Sequence, residues 1–193
     1  MPYSPATIAN YFLQRASKEG RALTPMQVLK LVYIAHGWHL GFRKEPLIDE
    51  VVEAWRHGPV ISSLYRKMKQ YGSGGITELL PVNPFSWATA SWSNPVSKID
   101  EKSAEILDSV WNGYGHFGGI QLSEMTHKEG SPWWQVWNGP KRKETGLINL
   151  TINNDLIQEF YEQKIKAHKH GELYEKYRSN QIQLNNETFI ECV

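Results

Sequence analysis

The chain has 193 residues, 40% of them hydrophobic and 21% charged, with a formal net charge of +1 at pH 7. This composition excludes a disordered or fibrous chain, and the longest purely apolar run, Leu31 to Ala35, is far shorter than the roughly 20 residues of a membrane helix. The single cysteine, Cys192, excludes an internal disulfide and a cysteine-rich zinc site. With no signal peptide recognisable at the start, we expect a cytoplasmic protein without membrane association.

Charge is unevenly distributed along the chain. Residues 1–72 contain ten basic and five acidic side chains, a net charge of +5, whereas residues 73–140 contain three and seven, a net charge of −4. This distribution favours two patches of opposite charge that attract each other within one fold. The alternative is a basic face that binds a charged partner.

The first two helices are predicted from their starts. In Ser4-Pro5 and again in Thr24-Pro25, a hydroxyl side chain precedes a proline, which is typical of the first turn of a helix. The first helix continues to Gly20. The second is apolar around most of its circumference, with a narrow polar wedge at Gln27, Lys30 and Gly37, so we expect it to be buried at the centre of the fold.

The sequence in the middle of the chain predicts shorter helices and strands. Alternating side chains indicate a short strand within residues 47–57, and Gly58-Pro59 predicts the start of a third helix with Pro59 in its first turn. Residues 75–97 are predicted as loop, with room for a short strand at 76–80, because three prolines forbid a long helix there.

The last part of the sequence predicts four further helices, a loop and a strand. Asp100 caps a helix that continues to Tyr114, residues 121–128 form a short helix, and Ser131-Pro132 begins another. An exposed basic loop at 141–146 precedes a long helix that starts at Asn153 or Asn154 and ends near Gly171, and a last strand is predicted at 188–193. The total is six or seven helices with a small β-hairpin or short strands: a mainly α, compact single domain around a buried central helix.

No arrangement of residues predicts an enzyme. His36 and His39 are three residues apart and face the same side of a helix, where Asp49 or Glu50 is available as a third metal ligand, but no zinc-binding motif supports such a site. We expect two ordinary buried histidines, no metal and no cofactor. Nucleophile motifs, phosphate loops and dinucleotide fingerprints are not recognisable in the sequence.

A basic strip predicts the alternative function. Arg66, Lys67 and Lys69 on one helix, with Arg43 and Lys44 in a turn, are five candidate phosphate contacts for a nucleic-acid-binding regulator. A solvated helix face explains the same residues equally well, and we expect nucleic acid not to be the partner.

Two segments combine tryptophan, histidine and turn residues in an unusual way. Residues 53–60 read EAWRHGPV, and residues 122–134 contain LSEMTH followed by SPWW. Tryptophan fills cores, and it is also enriched at interface hot spots. We expect the first segment to be mainly architectural, with Trp55 packed on the second helix.

Together with the run QVLKLVYIAHGW at 27–38, these segments resemble the Panacea antitoxin domain of phage-associated GepA-like and SocA-like proteins. The resemblance covers roughly residues 5–165, so we expect a domain at 4–165 and a C-terminal extension at 166–193. The motif residues that carry it, which we expect to be structural, are Trp38, Trp55, His57, Gly58, Pro59, Tyr65, Thr126, His127 and Trp133.

The resemblance implies an antitoxin that neutralises a cognate toxin by direct binding, in a toxin–antitoxin or phage-defence module and without catalysis. One member of the family instead delivers its toxin to a protease, so an adaptor function or self-association stays open. Toxin contacts are expected in elements that vary between members, which here are residues 73–100 and the extension. The candidate partner contacts are Trp87, Trp92, Leu173, Tyr174 and Tyr177.

Overall fold

A computed structural model describes residues 1–82 and 99–167 of the chain. This part is mainly α-helical, as predicted, with a small antiparallel sheet. In chain order the elements are α1 (Pro5–Lys18), α2 (Pro25–Arg43), β1 (Val52–Trp55), β2 (Gly58–Val60), α3 (Ser62–Met68), a 3-10 turn (Lys69–Tyr71), α4 (Glu101–Tyr114), α5 (Gly119–His127), α6 (Pro132–Trp137), α7 (Pro140–Thr145), β3 (Leu150–Ile152) and α8 (Asn154–Ala167).

Helix α2 lies at the centre of the fold, and this prediction is confirmed. Sixteen of its 19 residues are buried. Helices α1, α3, α4, α5 and α8 and strand β2 all pack against it. Because nearly all of this helix is buried, even its buried polar side chains must find partners inside the protein.

The predicted helix starts are confirmed by their caps. Ser4 accepts a hydrogen bond from the Thr7 amide at 3.2 Å, and Ser131 accepts one from the Trp134 amide at 3.1 Å. At α2 the cap is reciprocal: the Gln27 amide donates to the Thr24 hydroxyl, and the Thr24 amide donates to the Gln27 side chain. These bonds satisfy amides that a helix leaves unpaired in its first turn.

The prediction that Gly58-Pro59 begins a helix is wrong. Residues 58–60 form β2, which pairs antiparallel with β1 so that Ala54 lies opposite Pro59, and helix α3 starts only at Ser62. The sheet order is β2-β1-β3, so β2 is an edge strand. A proline is tolerated there because an edge strand has one side on which no ladder hydrogen bond is needed.

Three shorter segments can be compared with their predictions. Residues 76–80 are loop, as predicted, without the optional strand, and the buried Asn10 side chain bonds both the amide and the carbonyl of Leu80 in place of a neighbouring strand. The predicted basic loop at 141–146 is helix α7, which starts at Pro140 and ends at Gly146 in a left-handed conformation. Strand β3 was not predicted, since three residues are too short for an alternating pattern.

Helix α8 packs along the C-terminal half of α2 at unusually close range. A Cβ atom on Gly37 would lie 2.1 Å from the Tyr161 ring, and one on Gly41 would lie 3.0 Å from the Tyr161 Cβ. Gly37 therefore belongs to a helix–helix contact rather than to a polar wedge. The predicted strand at 188–193 and the end of the long helix near Gly171 lie outside the described residues, and the domain boundary at 165 stays a prediction.

Candidate functional site

Most of the motif residues meet around the turn between β1 and β2. Arg56 and His57 form this two-residue turn, and both side chains are exposed. Helix α2 lies beneath the turn, whereas α5 and α6 lie beside it. The two segments singled out in the sequence, 53–60 and 122–134, therefore form one structural unit.

Lys30 of α2 anchors the turn from below. Its side chain is 1% exposed, and its Nζ donates to the carbonyls of His57 at 2.6 Å and Pro59 at 3.1 Å. Burial lowers the pKa of Lys30 to about 7, because an ammonium group loses its hydration there. This one amine therefore links the central helix to both sides of the hairpin turn.

Gly58 is required by this arrangement. Its φ of +102° is a conformation that L side chains rarely adopt, and a Cβ atom there would lie 2.3 Å from the Lys30 Nζ and 3.0 Å from the His127 ring. A side chain at position 58 would displace the anchor. The motif glycine thus allows backbone, lysine and histidine to approach one another.

Helices α5 and α6 hold the same turn from the side. The Ser123 hydroxyl donates to the His57 carbonyl at 3.1 Å, and the Trp133 indole donates to the Trp55 carbonyl at 2.8 Å. The rings of His127 and Trp133 pack edge to face, with 3.8 Å between their centroids. Together with the Lys30 amine, these bonds satisfy carbonyls on both sides of the turn.

His127 and Thr126 engage backbone groups within this unit. Burial lowers the pKa of His127, and hydrogen bonds to the carbonyls of Ser123 and Arg56 partly oppose that effect. The Thr126 hydroxyl donates to the Ser123 carbonyl at 2.8 Å, while the Thr126 carbonyl accepts from Ser131 at 2.9 Å. Each side chain therefore orients a neighbouring backbone segment.

The two remaining motif aromatics have different surroundings. Trp38 is fully buried on α2, where it packs on Phe42 and Tyr161 and donates to the Tyr114 hydroxyl at 3.2 Å. Trp38 is therefore a core residue away from the hairpin. Tyr65 instead packs edge to face on Trp55, with 5.0 Å between the ring centroids, and both rings are only partly buried.

An open groove of about 800 Å³ lies next to the hairpin unit. Met26, Leu29 and Lys30 of α2 line its floor, and Trp55 and Tyr65 line one side. The lining is mostly apolar and aromatic, which is typical of a site that binds another molecule rather than water alone.

Further lining comes from Trp137, the last residue of α6, and from residues that follow it. The Arg142 guanidinium stacks on the Trp137 ring, 3.6 Å from its centroid, and donates to the Trp137 carbonyl at 3.4 Å. Ile148 also lines the groove and is 66% exposed. An exposed isoleucine beside an arginine–tryptophan stack is a combination found at protein interfaces.

The histidine pair on α2 has ordinary hydrogen-bond partners. His36 Nδ1 accepts from the Leu47 amide at 3.3 Å, which leaves Nε2 to donate to Asn154 at 3.0 Å. His39 contacts the Glu45 carbonyl at 2.8 Å and the Ser103 hydroxyl at 3.0 Å. Burial lowers the pKa of both histidines to about 4. Within residues 1–82 and 99–167, no cluster of three potential metal ligands occurs.

Several side chains of the predicted basic strip are already bonded within the protein. Arg66 and Lys69 are exposed, but the Lys67 amine donates to the Pro81 carbonyl at 2.7 Å. Arg43 pairs with Asp100 and Glu45, and Lys44 pairs with Glu162. Three of the five candidate phosphate contacts are therefore engaged within the protein.

The sequence did not predict the groove residues. The partner contacts that it did predict lie in other segments. Trp87, Trp92, Leu173, Tyr174 and Tyr177 lie outside the described residues. One signal pointed to Lys30, since a lysine within a helix that is buried all round must itself be buried. No local pattern links Arg142 to Trp55, because their proximity depends on the tertiary fold.

Comparison with known proteins agrees with the sequence motifs. The family model for the antitoxin SocA-like Panacea domain matches residues 28–134. Antitoxin SocA of Caulobacter vibrioides is 29% identical to this chain over 134 residues, which cover 69% of this chain and 70% of that relative. No solved structure matches the chain.

In the described part of the chain, none of the helices combines the length and apolarity needed to cross a membrane.

Proposed function

This chain belongs to the antitoxin SocA-like Panacea domain family, and on that premise we propose that it neutralises a cognate protein toxin by direct, stoichiometric binding. The proposal includes no turnover by the antitoxin itself. It also places the protein in the cytoplasm, where a newly made toxin is available for capture.

The observation that carries the proposal is the groove beside the hairpin. Its aromatic and apolar lining is open to solvent, although the protein buries a complete core beneath it. Trp55, Tyr65 and Trp137 supply large side chains with few rotatable bonds, which bind a partner at low entropic cost. The motif side chains beneath hold backbone groups in place, an arrangement that favours a rigid binding surface over proton transfer.

The C-terminal extension and residues 73–100 add a second, separate expectation. Leu173, Tyr174 and Tyr177 form an apolar stripe in the sequence, and Trp87 and Trp92 are large aromatic candidates. We propose them as further toxin contacts. Deletion of residues 171–193 should then weaken neutralisation while leaving the amount of folded protein unchanged.

The decisive experiment is co-expression with the product of the neighbouring gene. Growth arrest by that product should be relieved by this protein, and the two chains should co-purify in a fixed ratio when the toxin is tagged. The toxin should persist at undiminished abundance, because it is held in a complex. Relief of arrest accompanied by loss of the toxin would instead indicate delivery to a protease, and the absence of relief would contradict the antitoxin proposal.

A further inference from the structure

The charged side chains that reach the groove surface are basic. Arg56 and Arg142 line the groove and no aspartate or glutamate does, among the residues that the structure describes, whereas the Lys30 amine is buried beneath it and bonded to two carbonyls. The hairpin carboxylate of Glu53 is already engaged, since it accepts hydrogen bonds from the Trp55 indole at 2.7 Å and from a serine hydroxyl. The electrostatic potential of the groove therefore favours an anionic ligand.

Arg142 lines the groove with a guanidinium whose orientation is fixed by its neighbours. Its Nη1 donates to the Trp137 carbonyl and its Nε is buried, so the terminal nitrogens are the part of the group that a ligand can reach. The guanidinium lies flat on Trp137, so the ring fixes the plane in which the donors point. A carboxylate is the side-chain group that matches such a planar set of donors.

Large apolar side chains are available next to this charge. Ile148 is 66% exposed and Met26 is 36% exposed, and both line the groove, as Trp55 and Trp137 do. A ligand that used only the arginine would leave this apolar surface in contact with water. A partner that also inserted an aromatic or aliphatic side chain would bury it and gain hydrophobic stabilisation.

From this juxtaposition we infer that the groove binds an acidic segment of the toxin, in which a carboxylate side chain pairs with Arg142 and a neighbouring large apolar side chain packs against Trp55 and Ile148. The inference rests on the proposed function, because it names the chemistry of the partner at that surface. The matched family span ends at residue 134, so Trp137, Arg142 and Ile148 lie beyond it. This part of the groove lining is therefore suited to recognising a particular toxin.

The described course of α8 leads away from the groove, but the 26 residues after Ala167 are long enough to span the distance back, so a label on Cys192 must test whether the chain's own C-terminal segment is the occupant. Tyr161 lies beside Gly37 and Gly41, and Ile165 lies beside Gly41, so α8 proceeds toward the C-terminal end of α2. The groove lies at the other end of that helix. Leu29 and Gly41 are separated by about 18 Å along the helix axis, at 1.5 Å per residue.

Three fluorescein-labelled octapeptides test the inference with the full-length protein. One alternates Glu with Leu and Phe, the second has Gln in place of Glu, and the third has Lys. We expect the Glu peptide to bind about tenfold more tightly than the Gln peptide, with binding that weakens as salt is added, and the Lys peptide not to bind. Equal affinities for the three peptides, or no binding of the Glu peptide, would overturn the inference.

A matched pair of charge reversals localises the binding. Arg142→Glu should weaken Glu-peptide binding at least about tenfold, since it replaces attraction by repulsion. Lys18→Glu makes the same charge change at an exposed position on α1 that does not line the groove, and it should change the affinity less than about twofold. An unchanged affinity in Arg142→Glu would show that the site lies elsewhere.

Neutralisation separates failure of this inference from failure of the proposed function. Wild-type protein and Lys18→Glu should relieve toxin-induced arrest, and Arg142→Glu should not. Among toxin variants in which each Asp or Glu is replaced singly by Lys, at least one should be neutralised by Arg142→Glu and not by the wild type. If Arg142→Glu still neutralises the unmodified toxin, the antitoxin proposal stands and the groove assignment is wrong.

A nitroxide label on Cys192, the single cysteine, tests self-occupancy in the intact chain. We expect the indole N–H resonances of Trp55 and Trp137 to keep their intensity in the labelled protein. Selective broadening of both would show that the C-terminal segment of the chain occupies the groove, and it would overturn the assignment of a toxin segment as the ligand.

Discussion

The two ends of helix α2 are held in the fold by different kinds of contact. At the C-terminal end, Gly37 and Gly41 let Tyr161 pack directly on the helix backbone, and Trp38 fills the space beside them. At the N-terminal end, a buried lysine supports a β-hairpin through two backbone carbonyls, and an open groove follows. We call the C-terminal end the closed end, because packed side chains fill it. We call the N-terminal end the open end, because hydrogen bonds hold it beside the groove.

The comparison separates stability from recognition. Packed aromatic side chains at the closed end contribute mainly to the free energy of unfolding. Polar anchors contribute less net stability, because desolvation offsets much of each hydrogen bond, but they fix the position of a surface. Substitutions at the closed end should therefore unfold the protein, and substitutions at the open end should alter binding before they alter stability.

The largest expected effects lie at the closed end, and Gly37→Ala is the first of them. The new Cβ atom would lie 2.1 Å from the Tyr161 ring, so the two helices must move apart. We expect a loss of about 3 kcal/mol or more in the free energy of unfolding, measured with urea, in spite of a gain of about 1 kcal/mol in helix propensity. In a Tyr161→Ala background the same substitution should cost little, and an equal cost in both backgrounds would contradict this contact.

Acid should weaken the closed end next. Burial lowers the pKa of His36 to about 4 from its model-peptide value of 6.5, so the unfolded chain binds a proton that the folded chain does not. Its contribution to stability is therefore present above pH 6.5 and is lost as the pH falls toward 4, by up to about 3 kcal/mol. The titratable and charged groups around it include His39, whose pKa is also lowered to about 4.

The variant His36→Gln isolates this effect. It removes the titrating group, so its stability should fall less steeply than that of the wild type between pH 6.5 and 4. Urea unfolding at half-unit pH intervals measures the two slopes, and parallel slopes would show that His36 titrates normally in the folded protein.

The closed end could be predicted from the sequence and the open end only in part. The apolar circumference of α2 and the capping pairs at Ser4 and Thr24 are local patterns, and the structure confirms what they predict. Pro59 was assigned to the wrong element, since a proline after glycine fits a helix start as well as an edge strand. Lys30 and Arg142 acquire their roles from partners distant in sequence, which no local spacing encodes.

At the open end, Lys30→Met should change the pH dependence of stability in the alkaline range. Burial lowers the pKa of Lys30 from 10.5 to about 7, so the unfolded chain takes up a proton at higher pH than the folded chain does. The wild type should therefore gain stability relative to Lys30→Met as the pH rises from 7.5 to 9.5, by about 2–3 kcal/mol in total. A constant difference between the two proteins over this range would mean that the ammonium form persists beneath the hairpin.

The smallest expected loss of stability, and the sharpest test of the comparison, is that of Trp55→Ala. If Trp55 were packed in the core on α2, its truncation would cost about 3–5 kcal/mol. The structure leaves the indole half-buried against Tyr65, with its N–H bonded to Glu53, so we expect a cost of about 1–2 kcal/mol. Trp38→Ala makes the same change at the closed end, where the side chain is fully buried, and it should cost the full 3–5 kcal/mol.

Toxin neutralisation should rank the two variants in reverse: Trp55→Ala should lose more of it than Trp38→Ala. At a temperature where both remain folded, Trp55→Ala should lose toxin binding because it removes one side of the groove, whereas Trp38→Ala leaves that surface intact. Binding to a tagged toxin, measured alongside the fraction of folded antitoxin, distinguishes the two contributions. If the loss of binding in both variants follows only their loss of folded protein, Trp55 is an architectural residue, and the two ends of α2 differ in packing without differing in function.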